Sequence, residues 1–266
     1  MPRVPAALNL EPRVRNGLVV YPLDEVAHLG VDAFLTSRVG GVSRAPYDTL
    51  NLGDHVGDDP AAVRENRRRV AHAAGVDPEH LIIVNQVHGR DVVRVTGPVG
   101  ACSADALISE AGDIALAILV ADCAPVLVVD SASPRFAVAH AGWRGLVAGV
   151  LGELIARFDD PSTLRAIVGP TISQVGYQVG SDVADHFAKV PRALVADDEG
   201  RWRLDVAGVV VHQLLAAGLG DDHVARVSQS TDGGHPFFSD RAARPCGRSA
   251  LVARRSMNAA MPEGLQ

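Results

Sequence analysis

A single α/β domain is the fold class this sequence predicts, and three observations predict it. Short runs rich in Val, Ile and Ala alternate with helix-length amphipathic stretches along the whole chain. No Gly/Ser-rich or Pro-rich linker divides the 266 residues, and no segment repeats. Hydrophobic residues make up 47% of the chain, enough for a substantial core.

The elements follow in order. Residues 1–16 carry three Pro without periodicity and read as a flexible lead-in. The domain then spans residues 17–255, and residues 256–266 form a tail. Strand-like LVVY leads to FLTSR and the turn Gly40-Gly41-Val42-Ser43. The Asp- and Gly-heavy DTLNLGDHVGDD reads as an ordered loop. Asp59 as N-cap and Pro60 at the first helical position start a helix that runs to Ala74, with Gly75 as its stop. On that helix Val63, Val70 and Ala74 share one face with Asn66 and Arg67. An inward Arg67 needs either a carboxylate or anionic partner, or a route past the core edge to water.

A strand-dense middle follows: VVRV, ADALIS, IALAILV, PVLVVD and RFAVA. Leu146, Val147, Val150, Leu151, Leu154, Ile155 and Phe158 predict one amphipathic helix. LRAIVG is a further strand. Helices near 182–189 and 206–217 and strands near 223–228 and 249–253 complete the set.

Charge and composition exclude several function classes. A net charge of −6 argues against a general nucleic-acid binder. No apolar run approaches the ~20 residues of a membrane-spanning helix, and no secretory signal pattern opens the chain. Three cysteines are too few for a disulfide scaffold, so a cytoplasmic setting is expected. Nothing in the pattern fixes the oligomeric state; a monomer is the default expectation.

Three of the apolar runs end on a potential metal ligand: LIIV-NQV on His88, IALAILV-AD on Cys123 and RFAVA on His140. In α/β folds, ligands gather in the crevice beyond strand ends. Two imidazoles and a thiolate meeting there would hold a transition metal, zinc above all, with one coordination position open. The spacing matches no compact motif such as HExxH, and a buried thiol with two core histidines is the bland alternative. Beside Cys123, Asp122 is a candidate partner for an imidazole or merely a turn residue, and Asp105 is equally ambiguous. HAGWRGLVAG places Trp143 and Arg144 at a helix start that could receive an anion. No Walker-type phosphate loop and no GxGxxG fingerprint are present.

TSRVGGVS, YDTLNLGDHVGDDP, RENRRRV, NQVHGRDV, ADALIS, ADCAPVLVV and HAGWRGLVAGV together resemble the laccase-domain family over roughly residues 17–255. That family was first described as polyphenol oxidases and is now regarded as zinc-dependent purine nucleoside phosphorylases. The resemblance implies mixed sheets sandwiched between helical layers, with His88, Cys123 and His140 as zinc ligands. It implies phosphorolysis of adenosine and inosine, accompanied by methylthioadenosine phosphorolysis and adenosine deamination. Editing of a peptidoglycan precursor is a further family role. Cys123, Asp122 and Arg144 become the candidate catalytic groups, and Arg38, Asn51, Asn66, Arg67 and Gln86 the candidate substrate-binding ones. Three departures from the family pattern, at Gln178, Ser230 and Asp240, bear on substrate preference more than on metal binding. Rival readings are a copper oxidase, which the absence of HxH pairs disfavours, and a Cys–His hydrolase with Cys123 as nucleophile. A non-catalytic binding module explains an open ligand set least well.

Overall fold

Strict alternation along two central strands decides the architecture. In Ala124–Asp130, Val126 and Val128 face one side and Leu127 and Val129 the other, and all four are buried. In Ala115–Val120, Ala115, Ala117 and Leu119 face one core while Leu116, Ile118 and Val120 face another. Strands covered on both faces read as unbroken apolar runs, which is why IALAILV and PVLVVD carry no polar residues inside.

The computed structural model describes residues 6–232 and 236–256. Its four layers run helices, sheet, sheet, helix. A seven-stranded sheet has the order Ala6–Leu8, Val224–Val227, Leu164–Val168, Ala124–Asp130, Phe136–Ala141, Ala106–Ser109, Val92–Arg94. A six-stranded sheet has the order Arg13–Arg15, Leu18–Pro22, Val31–Thr36, Ser249–Arg255, Ala115–Val120, Leu81–Ile83. Both sheets are mixed, as expected: Leu81–Ile83 runs parallel to its neighbour while Ser249–Arg255 runs antiparallel on both sides. Leu107, Leu127, Val138 and Ile167 from the first sheet meet Leu35, Leu116, Ile118 and Leu251 from the second in the middle core. Helix Pro60–Ala74 covers the outer face of the six-stranded sheet. Trp143–Ala148, Val150–Ile155, Ser181–Phe187 and Val206–Ala216 cover the other.

The N-terminal helix has the predicted bounds. The Asp59 side chain accepts from the Ala61 amide at 2.8 Å, and Gly75 closes the helix at φ +71°. The next expectation needs correcting. The stretch 146–158 is not one helix, because Gly149 at φ +90° turns the chain left-handed and separates two six-residue helices. Val147, expected inward, is exposed in consequence. Hydrophobic spacing survives such a break, so it could not reveal one.

Two further features carried no sequence signal. A three-stranded sheet of Gln178–Val179, Trp202–Leu204 and Leu194–Ala196 flanks the helical layer, its strands too short for periodicity. Within the expected lead-in, Ala6–Leu8 and Arg13–Arg15 each add an edge strand, one to either large sheet. The C-terminal tail beyond Ser256 lies outside the described residues.

One connection positions the chemistry. The chain leaves the six-stranded sheet at Val120, turns through Ala121, Asp122 and Cys123, and enters the seven-stranded sheet at Ala124. Asp122 holds φ +84° to make that turn. Cys123 therefore sits where the two sheets part.

Candidate metal centre

His140 lies on the strand antiparallel to the one that follows Cys123, opposite Pro125, so the imidazole and the thiol share one end of the seven-stranded sheet. His88 comes from the loop after Leu81–Ile83 and holds φ +58°, a conformation few non-glycine residues adopt. The ligand atoms of His88, Cys123 and His140 all lie within 4.8 Å of one another. His88 Nε2 stands 3.9 Å from Cys123 Sγ, and the two imidazoles meet edge to face at 4.6 Å between ring centres.

Asp105 is the residue that gathers them. It is 0% exposed, and its carboxylate accepts from the amides of Val87, His88 and Gly89 at 3.2, 3.0 and 2.6 Å. The same carboxylate lies 2.8 Å from His140 Nδ1. That contact leaves the other ring nitrogen of His140 for a metal. The sequence left Asp105 and Asp122 level as candidates for this part; the structure gives it to Asp105. Asp122 instead takes hydrogen bonds from Thr231 Oγ1 at 2.5 Å and from the Arg241 amide at 2.7 Å. Each of its oxygens thus accepts a hydrogen bond, and it braces the neighbouring loops while still lining the cavity.

Electrostatics favour a thiolate. Burial pushes the Cys123 thiol up, but the two imidazoles, His140 foremost, outweigh it and hold the thiol below its ordinary range. Burial pushes His140 down, and Cys123 with Asp105 more than reverses that. Asp105 is held low because His140 and the loop amides overcome its own burial. Two imidazoles, a thiolate and a buried carboxylate behind one of them make a donor set that fits zinc.

The site floors a cavity of about 830 Å³ whose wall includes Arg67, Gln86, Asp122, Trp143, Arg144 and Tyr177. The expected substrate-binding residues separate there. Arg67 and Gln86 reach the wall; Arg38, Asn51 and Asn66 do not. Gln86 uses both ends of its amide on the backbone of Leu119, at 2.8 and 2.7 Å, which ties the His88 loop to the strand leading to Cys123. Arg67 donates to the Leu52 carbonyl and pairs with Asp54 at 3.1 Å, so its partner is found. Asn66 is 0% exposed and bonds Val42, Ser43, Thr49 and Asn51, pinning the 42–51 loop to the helix. Asn51 is likewise buried, bonded to Gly53, Asp58 and Arg248. Arg38 pairs with Asp48 and lies over the Phe238 ring. These three hold loops in place.

Tyr177 and Arg241 were missed. Arg241 lies over the Tyr177 ring at 4.9 Å, and both line the cavity. Burial above all pushes the Tyr177 hydroxyl up to about 12, so it stays protonated. No spacing in the sequence brings residues 177 and 241 together.

A mixed α/β sandwich with a His₂Cys cluster at the parting of its sheets defines a class of candidate metalloenzyme. The chain belongs to the family described as multi-copper polyphenol oxidoreductase laccase, whose pattern matches residues 32–256. It is 43% identical to "Purine nucleoside phosphorylase ORF3" of Streptomyces griseus, over 81% of this chain and 90% of that one. It is 39% identical to "Purine nucleoside phosphorylase YfiH" of Escherichia coli, over 83% and 92%. Among solved structures, YlmD of Geobacillus stearothermophilus superposes with a TM-score of 0.86 at 29% identity, covering 92% of this chain and 98% of that one.

Two outcomes test the centre. A Cβ at Gly142 would stand 2.8 Å from Cys123 Sγ and 2.9 Å from His88 Cδ2, closer than packing permits. Gly142→Ala therefore gives folded protein that no longer holds stoichiometric zinc, by elemental analysis against circular dichroism. Asp105→Asn keeps the shape but loses the charge behind His140, and zinc affinity falls about 10–100-fold in chelator competition. Wild-type affinity in that variant would remove Asp105 from the account.

Proposed function

We propose that this protein is a zinc-dependent purine nucleoside phosphorylase that converts adenosine or inosine and phosphate to free base and ribose 1-phosphate. Adenosine deamination and methylthioadenosine phosphorolysis are proposed as side activities, and the cytoplasm, where its three free thiols persist, as its setting. The observation that carries the reading is the convergence of His88, Cys123 and His140 on the floor of a cation-walled cavity. The two relatives named above as purine nucleoside phosphorylases support the substrate class.

Zinc, when bound by these three residues, supplies a Lewis acid with one position free for an oxygen of substrate or water. The chain does the rest. Asp105 fixes the His140 ring and the His88 loop, so the ligands keep their places through turnover. Arg144, exposed on the cavity wall beside Trp143, offers charge for phosphate. In the reaction a phosphate oxygen forms the bond to C1′ while the C1′–N9 bond breaks. The bonding pair leaves with the base, which takes up a proton. Tyr177, kept protonated, can donate a hydrogen bond to the departing purine.

A second reading has its own support. Cys123, His140 and Asp105 stand in the order nucleophile, base and orienting acid, which also serves a Cys–His hydrolase, including a precursor-editing amidase. Copper oxidation gains no such support. Among the described residues the other grouping of metal-binding side chains is Asp77, Glu79 and His80, with a single imidazole.

Chromatography of products from adenosine with and without phosphate separates these readings. Phosphate-dependent release of adenine with ribose 1-phosphate, abolished by chelation and restored by zinc, is the expected result. Activity on an amide substrate that survives chelation would install the hydrolase reading instead. Inosine alone, unaffected by phosphate, would leave deamination as the activity.

A further inference from the structure

The cavity wall carries five arginines, and their partners divide them. Arg67 pairs with Asp54, and Arg244 and Arg248 share the one carboxylate of Asp240. Among the described residues, Arg144 and Arg241 have no carboxylate partner. Each lies on an aromatic ring instead, Arg144 over Trp143 at 4.4 Å and Arg241 over Tyr177 at 4.9 Å. Stacking orients a guanidinium while leaving its N–H fork to bond in the ring plane.

Arg241 is tied further. One terminal nitrogen donates to the Gln178 carbonyl at 3.0 Å, leaving the remaining donors free. Its backbone amide is held by Asp122, the neighbour of Cys123. The backbone at Arg241 is thus anchored to the residue next to Cys123. Arg144, Arg241, Tyr177 and Cys123 line the one cavity, with the Asp122 carboxylate among them. Two guanidinium groups that line one cavity without a direct ion-pair partner among the described residues can receive a tetrahedral anion through bidentate contacts.

We propose that Arg144 and Arg241 form the phosphate clamp of this cavity, with Asp122 as the positioning residue that fixes Arg241 relative to Cys123. The inference rests on the phosphorylase reading for its choice of anion. The occupant is free phosphate. A phosphate ester such as a nucleoside 5′-monophosphate shares the chemistry and forms the other arm of the test.

Calorimetric titration of zinc-loaded protein with inorganic phosphate, and separately with adenosine 5′-monophosphate, decides it. Wild type binds inorganic phosphate. Arg144→Gln and Arg241→Gln each weaken it by about tenfold to a hundredfold, and the double variant shows no measurable binding. Zinc content stays at the wild-type value, because neither side chain belongs to the His88–Cys123–His140 cluster. Asp122→Asn weakens phosphate binding less than Arg241→Gln, and the same variant with Arg241→Gln is no weaker than Arg241→Gln alone.

Wild type that ignores phosphate, or variants that bind it undiminished, overturns the clamp. Binding of the nucleotide alone overturns the assignment to free phosphate. The two proposals fail separately. Arginine-dependent phosphate binding without ribose 1-phosphate formation keeps the clamp and sinks phosphorolysis. Phosphate-dependent cleavage with full phosphate affinity in the variants does the reverse.

Discussion

A buried carboxylate that must be satisfied on all sides organises this site. Asp105 has no access to water, so an unpaired charge there would be prohibitively costly. Three consecutive amides and one imidazole meet that demand, and in meeting it they bring the His88 loop against the His140 strand. Geometry that would otherwise need a metal to hold it together is thus fixed by the protein. His88 keeps its left-handed backbone because the amide fan onto Asp105 requires it.

The two-sheet architecture supplies the third member of the cluster, Cys123. Strands 115–120 and 124–130 belong to different sheets, and the three-residue turn between them has to bridge the layers. A turn so placed leaves Cys123 half-buried at the cavity floor, against both imidazoles. Gly142 completes the arrangement by leaving space where any side chain would collide with the thiol and the His88 ring. Packing and chemistry are inseparable here: the middle core sets the sheet separation, and the sheet separation sets where the thiol stands.

Much of this was legible from residues. The helix 60–74 announced both ends because caps are local chemistry, an Asp-Pro pair and a left-handed Gly. The meeting of His88, Cys123 and His140 was suggested because each follows an apolar run, and the family resemblance singled out the three together. Local signals failed where long-range contacts decide. Asp105 and Asp122 looked alike because only the fold shows which carboxylate faces His140. Asn51 and Asn66 sit in distinctive blocks yet serve loop architecture, and Gln86 lines the cavity while spending its amide on Leu119. Tyr177 and Arg241, 64 positions apart, meet through the cation–ring contact that no periodicity encodes. Gly149 shows the converse: a glycine in a helical pattern was visible, but its φ was not.

Zinc-edge X-ray absorption on the zinc-loaded protein tests the central claim most directly, since it reads the ligand atoms themselves. The proposed zinc centre predicts one sulfur at about 2.3 Å, two imidazole nitrogens at about 2.0–2.1 Å and one further light atom in the open position. A spectrum without sulfur, or with fewer than two imidazoles, would contradict the account.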